Sequence, residues 1–168
     1  MKRRNLLALG ALSAAVLIVG GGSLALLQPG LHDARLSPAG RDVFAGAGRA
    51  LLDGSLPSEA DALRHALEGL LGRIDGVVSA LPPHAQVELS QLLSILSIAG
   101  GRRLLGGLAE PWSTAPVADI QQALQSMRVS GVTLRQQAYQ ALHDIVGGAY
   151  FSDTQTWSLL GYPGPRKV

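Results

Sequence analysis

The stretch from Leu63 to Leu81 constrains this chain more than any other. Leu63, Leu67, Leu70, Leu71, Ile74, Val77, Val78 and Leu81 recur at intervals of three and four residues. At 3.6 residues per turn that spacing lines one face of a helix with aliphatic side chains. Arg64, Glu68 and Asp75 fall largely elsewhere on the wheel, and Arg64 and Glu68 are placed to pair across one turn. Ser58 is the expected N-cap, with Asp61 near the positive end of the helix dipole, and Pro82-Pro83 the expected stop. A helix with one greasy face requires partners, and the rest of the chain supplies them.

Ser37-Pro38 opens an earlier helix that runs to about Leu52 and stops near Asp53-Gly54. A third helix covers about Ala85 to Ala99 and is apolar around most of its circumference. Its gaps are Ser90, Ser94 and Ser97, a stripe of small side chains suited to close approach of a neighbour, and such a helix is expected at the centre of a bundle. Gly100-Gly101-Arg102-Arg103 and Gly106-Gly107 read as a flexible connection with two solvated arginines. They do not form a phosphate cradle, since there is no Walker lysine and no strand before the loop.

A fourth helix runs from about Pro116 to Arg128, with Val117, Ile120, Leu124 and Met127 as its apolar set. A fifth runs from about Val132 to Val146 and is expected to bury Leu134, Ala138, Leu142 and Ile145 before Gly147-Gly148 ends it. No segment alternates with period two, so a sheet is not expected. The fold class is all-α: an irregular bundle of about five helices over residues 37–148. Residues 28–36, with Pro29 and Gly30, read as a linker, and residues 149–168 as an extended aromatic C-terminal tail.

The first 27 residues are an address rather than part of the bundle. Lys2, Arg3 and Arg4 precede a run from Leu6 to Leu27 that contains no charged side chain. A basic start followed by such a run is a secretory signal or a membrane anchor. The pair Arg3-Arg4, then Asn5, Leu6 and Leu7, resembles the twin-arginine export motif, although Lys2 and Leu6 stand where the motif usually has Ser or Thr and Phe. Substrates of that translocase cross the membrane folded. Ser23-Leu24-Ala25 has the small residues a signal peptidase requires. The 22 residues from Leu6 to Leu27, at about 1.5 Å each, also match a bilayer core of about 30 Å. Both fates, a cleaved signal and a retained inner-membrane anchor, stay open, and both put the body in the periplasm.

Composition narrows the chemistry. Hydrophobic residues make up 47% and charged residues 15%. The formal charge of +2 comes from the first four residues, because from Gln28 onward 11 basic side chains face 12 acidic ones. A near-neutral body has no electrostatic footprint for nucleic acid. The absence of cysteine excludes thiolate nucleophiles, iron–sulfur clusters and covalent haem attachment. His32, His65, His84 and His143 are scattered without a metal-ligand spacing. His143 and Asp144, adjacent in sequence, are expected on different parts of a helix surface. The serine stripe lacks a nucleophile elbow. No catalytic, cofactor-binding or metal-binding residue is therefore expected in this chain.

The C-terminal segment differs in character from the bundle. It holds four of the seven aromatic side chains that follow Gln28, namely Tyr150, Phe151, Trp157 and Tyr162, with Gly161, Pro163, Gly164 and Pro165 among them. Aromatics offer large contact area at low rotamer cost, so they suit an interface. They would equally seal the bundle's own core.

The run Thr156-Trp157-Ser158-Leu159-Leu160-Gly161-Tyr162-Pro163-Gly164, after Gly147-Gly148-Ala149-Tyr150-Phe151, resembles the C-terminal signature of the gluconate 2-dehydrogenase subunit 3 family. The resemblance is specific only over Gly147 to Gly164. It departs from the family at Ser152-Asp153-Thr154-Gln155, where members often carry Gly-Gly-Asn before the tryptophan. It implies a non-catalytic small subunit that binds, stabilises and co-exports a periplasmic FAD-dependent dehydrogenase of the glucose–methanol–choline type, often with a cytochrome c subunit. On that reading FAD sits in the large subunit, and Tyr150, Phe151, Trp157, Leu160, Gly161, Tyr162, Pro163 and Gly164 contact the partner. The alternative is a stand-alone, membrane-anchored helical interaction or assembly protein.

Overall fold

A computed structural model describes residues 28–154, 156, 157 and 161. The export-signal residues Arg3, Arg4, Leu6 and Leu7 lie outside them, as does any anchor formed by residues 6–27. The described chain is mostly helical, with α1 Pro38–Leu51, α2 Ala60–Ser79, α3 Pro83–Ser97, α4 Ala99–Gly106, α5 Val117–Arg128 and α6 Thr133–Phe151. The all-α expectation holds, with six helices in place of five. Among the described residues, no helix is long and apolar enough to cross a membrane.

Residues 28–36 are part of the folded body. Strands β1 (Leu31–His32) and β2 (Arg35–Leu36) pair antiparallel with Leu31 opposite Leu36. Asp33 and Ala34 make the turn with φ of 49° and 57°, the doubly left-handed geometry that matches strand twist in a two-residue hairpin. Leu31 and Leu36 are buried. Ser90 of α3 holds the entering chain, with Leu31 N donating to its Oγ (3.1 Å) and Gly30 N donating to its carbonyl (3.3 Å). The serine stripe thus admits a close neighbour, and that neighbour is the hairpin: a Cβ at Gly30 would meet Leu93 Cβ and, at 2.6 Å, the Ser90 carbonyl. Asp75 of α2 closes the other side, accepting from Leu36 N (2.8 Å) and from Arg41 (3.2 Å). Two-residue strands are too short to express an alternating pattern, so the sequence carries no sheet signal here.

Helix α1 occupies the centre, packing on α2, α3, α5 and α6. Its buried residues are mostly small: Gly40, Val43, Phe44, Gly46, Ala47, Gly48 and Ala50. Small side chains let neighbouring backbones approach from several directions, which is why this helix, and not the Leu-rich α3, takes the middle. Ser37 caps it, its side chain accepting from Gly40 N. The cap of α2 is Glu59 and not Ser58; the Glu59 carboxylate accepts from Asp61 N (3.0 Å) and Ala62 N (2.7 Å). The proline pair starts α3, with Pro82 as N-cap and Pro83 in the first turn, while α2 has already ended at Ser79.

The Gly-Arg stretch is helix α4, not a flexible connection. The chain breaks at Ile98, in extended geometry, then resumes as Ala99–Gly106 until Gly107 ends it at φ 75°. Gly101 packs so tightly on the Ile95 carbonyl that a Cβ would land on it. Arg102 is buried rather than solvated, donating to the carbonyls of Ser97 (3.3 Å) and Ala109 (3.2 Å). The Ser97 carbonyl lies in the last turn of α3, where helices leave acceptors unfilled. Next to it the Trp112 ring is fully enclosed, with Nε1 donating to Leu96 O at 2.9 Å. Arg49 of α1 holds the loop that carries this ring through the carbonyls of Trp112, Ser113 and Ala115.

Candidate functional site

Helix α6 continues through Gly147-Gly148 to Phe151, so the extended tail does not begin at residue 149. Tertiary contacts override the two glycines. Ala149 and Tyr150 are buried, and Arg73 of α2 donates from Nε to the Ala149 carbonyl at 2.9 Å. The same guanidinium reaches Asp153 at 3.3 Å. The segment then folds back on itself. Thr156 Oγ1 donates to Asp153 O (2.7 Å) and Tyr150 O (3.2 Å), and Trp157 Nε1 donates to Phe151 O (2.8 Å).

This arrangement separates the aromatics by role. Tyr150 faces the core, 6% exposed, with its hydroxyl donating to Ser55 O at 3.2 Å. Its ring is part of the bundle core. Phe151 points outward at 42% exposure, its ring 5.2 Å from that of Tyr150 in an edge-on arrangement. Trp157 is half-buried, and Gly161 is exposed with φ 65°. Leu160, Tyr162, Pro163 and Gly164 lie outside the described residues.

Beside Phe151 the surface opens into a groove of about 390 Å³. Leu51, Leu52 and Ser55, at and just after the end of α1, form one wall. Tyr139, His143, Val146, Gly147, Tyr150 and Phe151 of α6 form the other. Tyr139 and His143, one turn apart, stack with ring centroids 5.4 Å from each other. His143 Nδ1 lies 3.1 Å from Asp144 Oδ1, so these two sequence neighbours do meet at the surface. The Tyr139–His143 pair was legible as an i, i+4 aromatic spacing; the contribution of Leu51 and Leu52 was not, because they reach the groove from another helix.

Several other titratable groups make local contacts on their own helices. His65 Nδ1 contacts the Asp61 carbonyl at 2.8 Å, and Arg64 pairs with Asp61 at 3.0 Å rather than with Glu68. Glu59 has its carboxyl held below the usual range by the Asp61 and Ala62 amides it caps. Ser94 and Ser97 donate back to Ser90 and Ser94 carbonyls on their own helix. Among the described residues no group of three or more His, Cys, Asp or Glu side chains gathers where it could hold a metal ion.

Comparison with protein families, curated proteins and solved structures finds no match to this chain.

Proposed function

We propose that this chain is a non-catalytic small subunit that grips, stabilises and escorts a periplasmic FAD-dependent dehydrogenase of the glucose–methanol–choline type. The observation that supports the reading is the Phe151 corner: an exposed aromatic beside a groove of mixed polar and apolar lining, on a segment clamped by Arg73 and followed by the Trp157–Gly164 signature. Aromatic anchors beside a concave surface are what a protein interface uses for affinity. Clamping that surface in advance lowers the ordering cost of binding. The twin-arginine-like start supplies the reason for folded export, because a partner loaded with FAD in the cytoplasm must cross the membrane intact. The translocase then reads the small subunit's signal on behalf of both chains. A cytochrome c subunit would complete the electron path, which this chain does not provide.

The test is co-expression with a candidate FAD-dependent dehydrogenase of the glucose–methanol–choline type from the same cells. Phe151→Asp changes an exposed position and is expected to leave the bundle folded, as circular dichroism would report, while the flavin-containing partner no longer co-purifies. Replacing Arg3 and Arg4 with lysine is expected to retain both chains in the cytoplasm. Recovery of this polypeptide from cells as a free monomer, with the candidate flavoprotein exported normally in its absence, would end the reading.

A further inference from the structure

The folded body begins close behind the apolar run. Gly30 is buried; its N–H donates to the Ser90 carbonyl of α3 at 3.3 Å, and its own carbonyl accepts from Ser37 N at 3.0 Å. Leu31 N donates to Ser90 Oγ at 3.1 Å, and the Leu31 side chain is buried. Beyond the hairpin turn, Leu36 N donates to Asp75 of α2 at 2.8 Å. The hairpin is thus fastened to two helices, and Gly30 fits Leu93 and Ser90 too closely for a methyl group. Backbone that is buried and hydrogen-bonded resists proteolysis, because a peptidase takes the residues on both sides of the bond it cuts as an accessible strand.

Only Gln28 and Pro29, both exposed, separate Leu27 from this pinned residue. The step from Leu27 to Gly30 spans at most about 10 Å. Pro29 has a fixed φ and biases Gln28 toward extended backbone, so the connector is stiff as well as short. The bond flanked by the small residues that a signal peptidase requires, Ala25–Leu26, lies five positions before Gly30, at most about 17 Å with the chain drawn out. With Leu27 at the edge of the hydrocarbon, a headgroup layer of roughly 5–7 Å takes up more than half of the gap to Gly30. What is left is smaller than the radius of a folded domain, about 13 Å for 100 residues. A peptidase has no room to enclose the strand without stripping the hairpin from Ser90.

We propose that the folded hairpin shields Ala25–Leu26 from signal peptidase, so that residues 6–27 stay attached after export as a membrane anchor. The proposal rests on the twin-arginine reading, since a chain exported folded meets the peptidase with its hairpin already in place. Unfolded export would bare the bond before Ser90 and Asp75 were there to hold the hairpin. The body is then tethered at its hairpin with almost no slack, and a partner gripped at the Phe151 corner is kept at the membrane with it.

The test expresses the full chain in cells that carry the translocase and the peptidase, separates cytoplasm, periplasm and membrane, and reads the intact mass. The parent is expected in the membrane fraction at the full 17.4 kDa, with its body open to protease added to spheroplasts. It should be released by detergent and not by alkaline carbonate. A Gly/Ser insertion between Gln28 and Pro29 lengthens the exposed connector without touching the bundle. It should permit cleavage, giving a soluble periplasmic body that lacks residues 1–25. Ala25→Leu in the lengthened chain should return it uncut to the membrane.

A parent recovered as a soluble periplasmic body without residues 1–25 would overturn the proposal and leave the twin-arginine reading standing. A lengthened chain that stays uncut would overturn it too, because the hairpin would not be the shield. Continued cutting of the Ala25→Leu form would remove Ala25–Leu26 as the protected bond. Recovery of the parent at full mass in the cytoplasm would end the proposal and the export reading together.

Discussion

Arg73 on α2 holds Asp153 at 3.3 Å across the end of α6, and its Nε bonds the Ala149 carbonyl from the same guanidinium. One side chain thereby fixes both the last turn of a helix and the first residues beyond it. The glycine pair at 147–148 would otherwise favour fraying. The aromatic corner depends on this clamp, because Trp157 bonds back to the residue that ends the helix.

Arg73→Ala is therefore expected to cost about 1–2 kcal/mol, since a charge-assisted hydrogen bond and a partly screened ion pair are lost together. The larger effect should be local. Amide exchange over residues 149–157 should accelerate well beyond the change in global stability, and co-purification of the proposed flavoprotein partner should weaken. Unchanged exchange in that segment would show that the aromatic corner is held by other contacts.

Trp112 is the largest fully enclosed side chain in the bundle. Trp112→Ala should destabilise by about 3–5 kcal/mol through the cavity left behind. Trp112→Phe should cost less, through a smaller void and the unfilled Leu96 carbonyl. Urea unfolding of both variants measures the difference. With only two tryptophans in the chain, the Trp112→Phe protein also isolates the fluorescence of Trp157, which is expected to be red-shifted because that ring is only half-buried.

Glu88 is 6% exposed, and its Oε2 has no hydrogen-bond partner among the described residues. A buried carboxylate oxygen without a donor is costly, and an apolar replacement of similar size removes that cost. Glu88→Leu is expected to raise stability by about 1 kcal/mol and to shift the thermal midpoint upward. A drop in the midpoint would mean that the carboxylate is satisfied by a partner or by water in solution.

The Glu59 cap sets a pH dependence. Its folded-state pKa is depressed by the two amides, so its stabilisation is complete above the unfolded carboxylate value of about 4.3 and is lost as pH falls through the lower folded value. Glu59→Gln should flatten the acid limb of a stability–pH curve while leaving the curve above pH 6 parallel to that of the parent. Two-dimensional NMR titration of the Glu59 side chain should find its midpoint below the ordinary glutamate value.

Backbone contact at Gly30 and Gly101 leaves no room for a methyl group. Gly30→Ala should lift the hairpin from α3 and expose Leu31 and Leu36, whereas Gly101→Ala should push α4 away from Ile95. Each is expected to destabilise by about 1–3 kcal/mol, the range for overpacking. Rapid exchange at the Leu31 amide in the first variant, and not in the second, would separate the two effects.

Much of the bundle was legible in advance because helix faces are local properties. The three- and four-residue spacing of Leu70, Leu71, Ile74 and Val78 required α2 wherever it packed, and Ser37-Pro38 placed the start of α1 by capping alone. The Ile120, Leu124 and Met127 stripe of α5 and the Ala138 and Leu142 stripe of α6 followed the same rule. The concentration of aromatics near the C-terminus was visible as composition, but that Phe151 points outward while Tyr150 is buried was not.

What the tertiary structure decided rests on contacts between residues far apart in the chain. Gly100-Gly101-Arg102-Arg103 has weak helical propensity, yet it coils because Arg102 finds carbonyls at Ser97 and Ala109 and Gly101 fits against Ile95. Residues 28–36 look like a linker until Ser90 and Asp75 supply partners for their amides. Gly147-Gly148 would end a helix in isolation; buried Ala149 and Tyr150, with Arg73 from another helix, carry it one turn further. Side-chain periodicity is written in one dimension, so a sequence displays it directly. Which carbonyl an arginine will find, and which wall will stand opposite Tyr139, is settled only when distant segments meet.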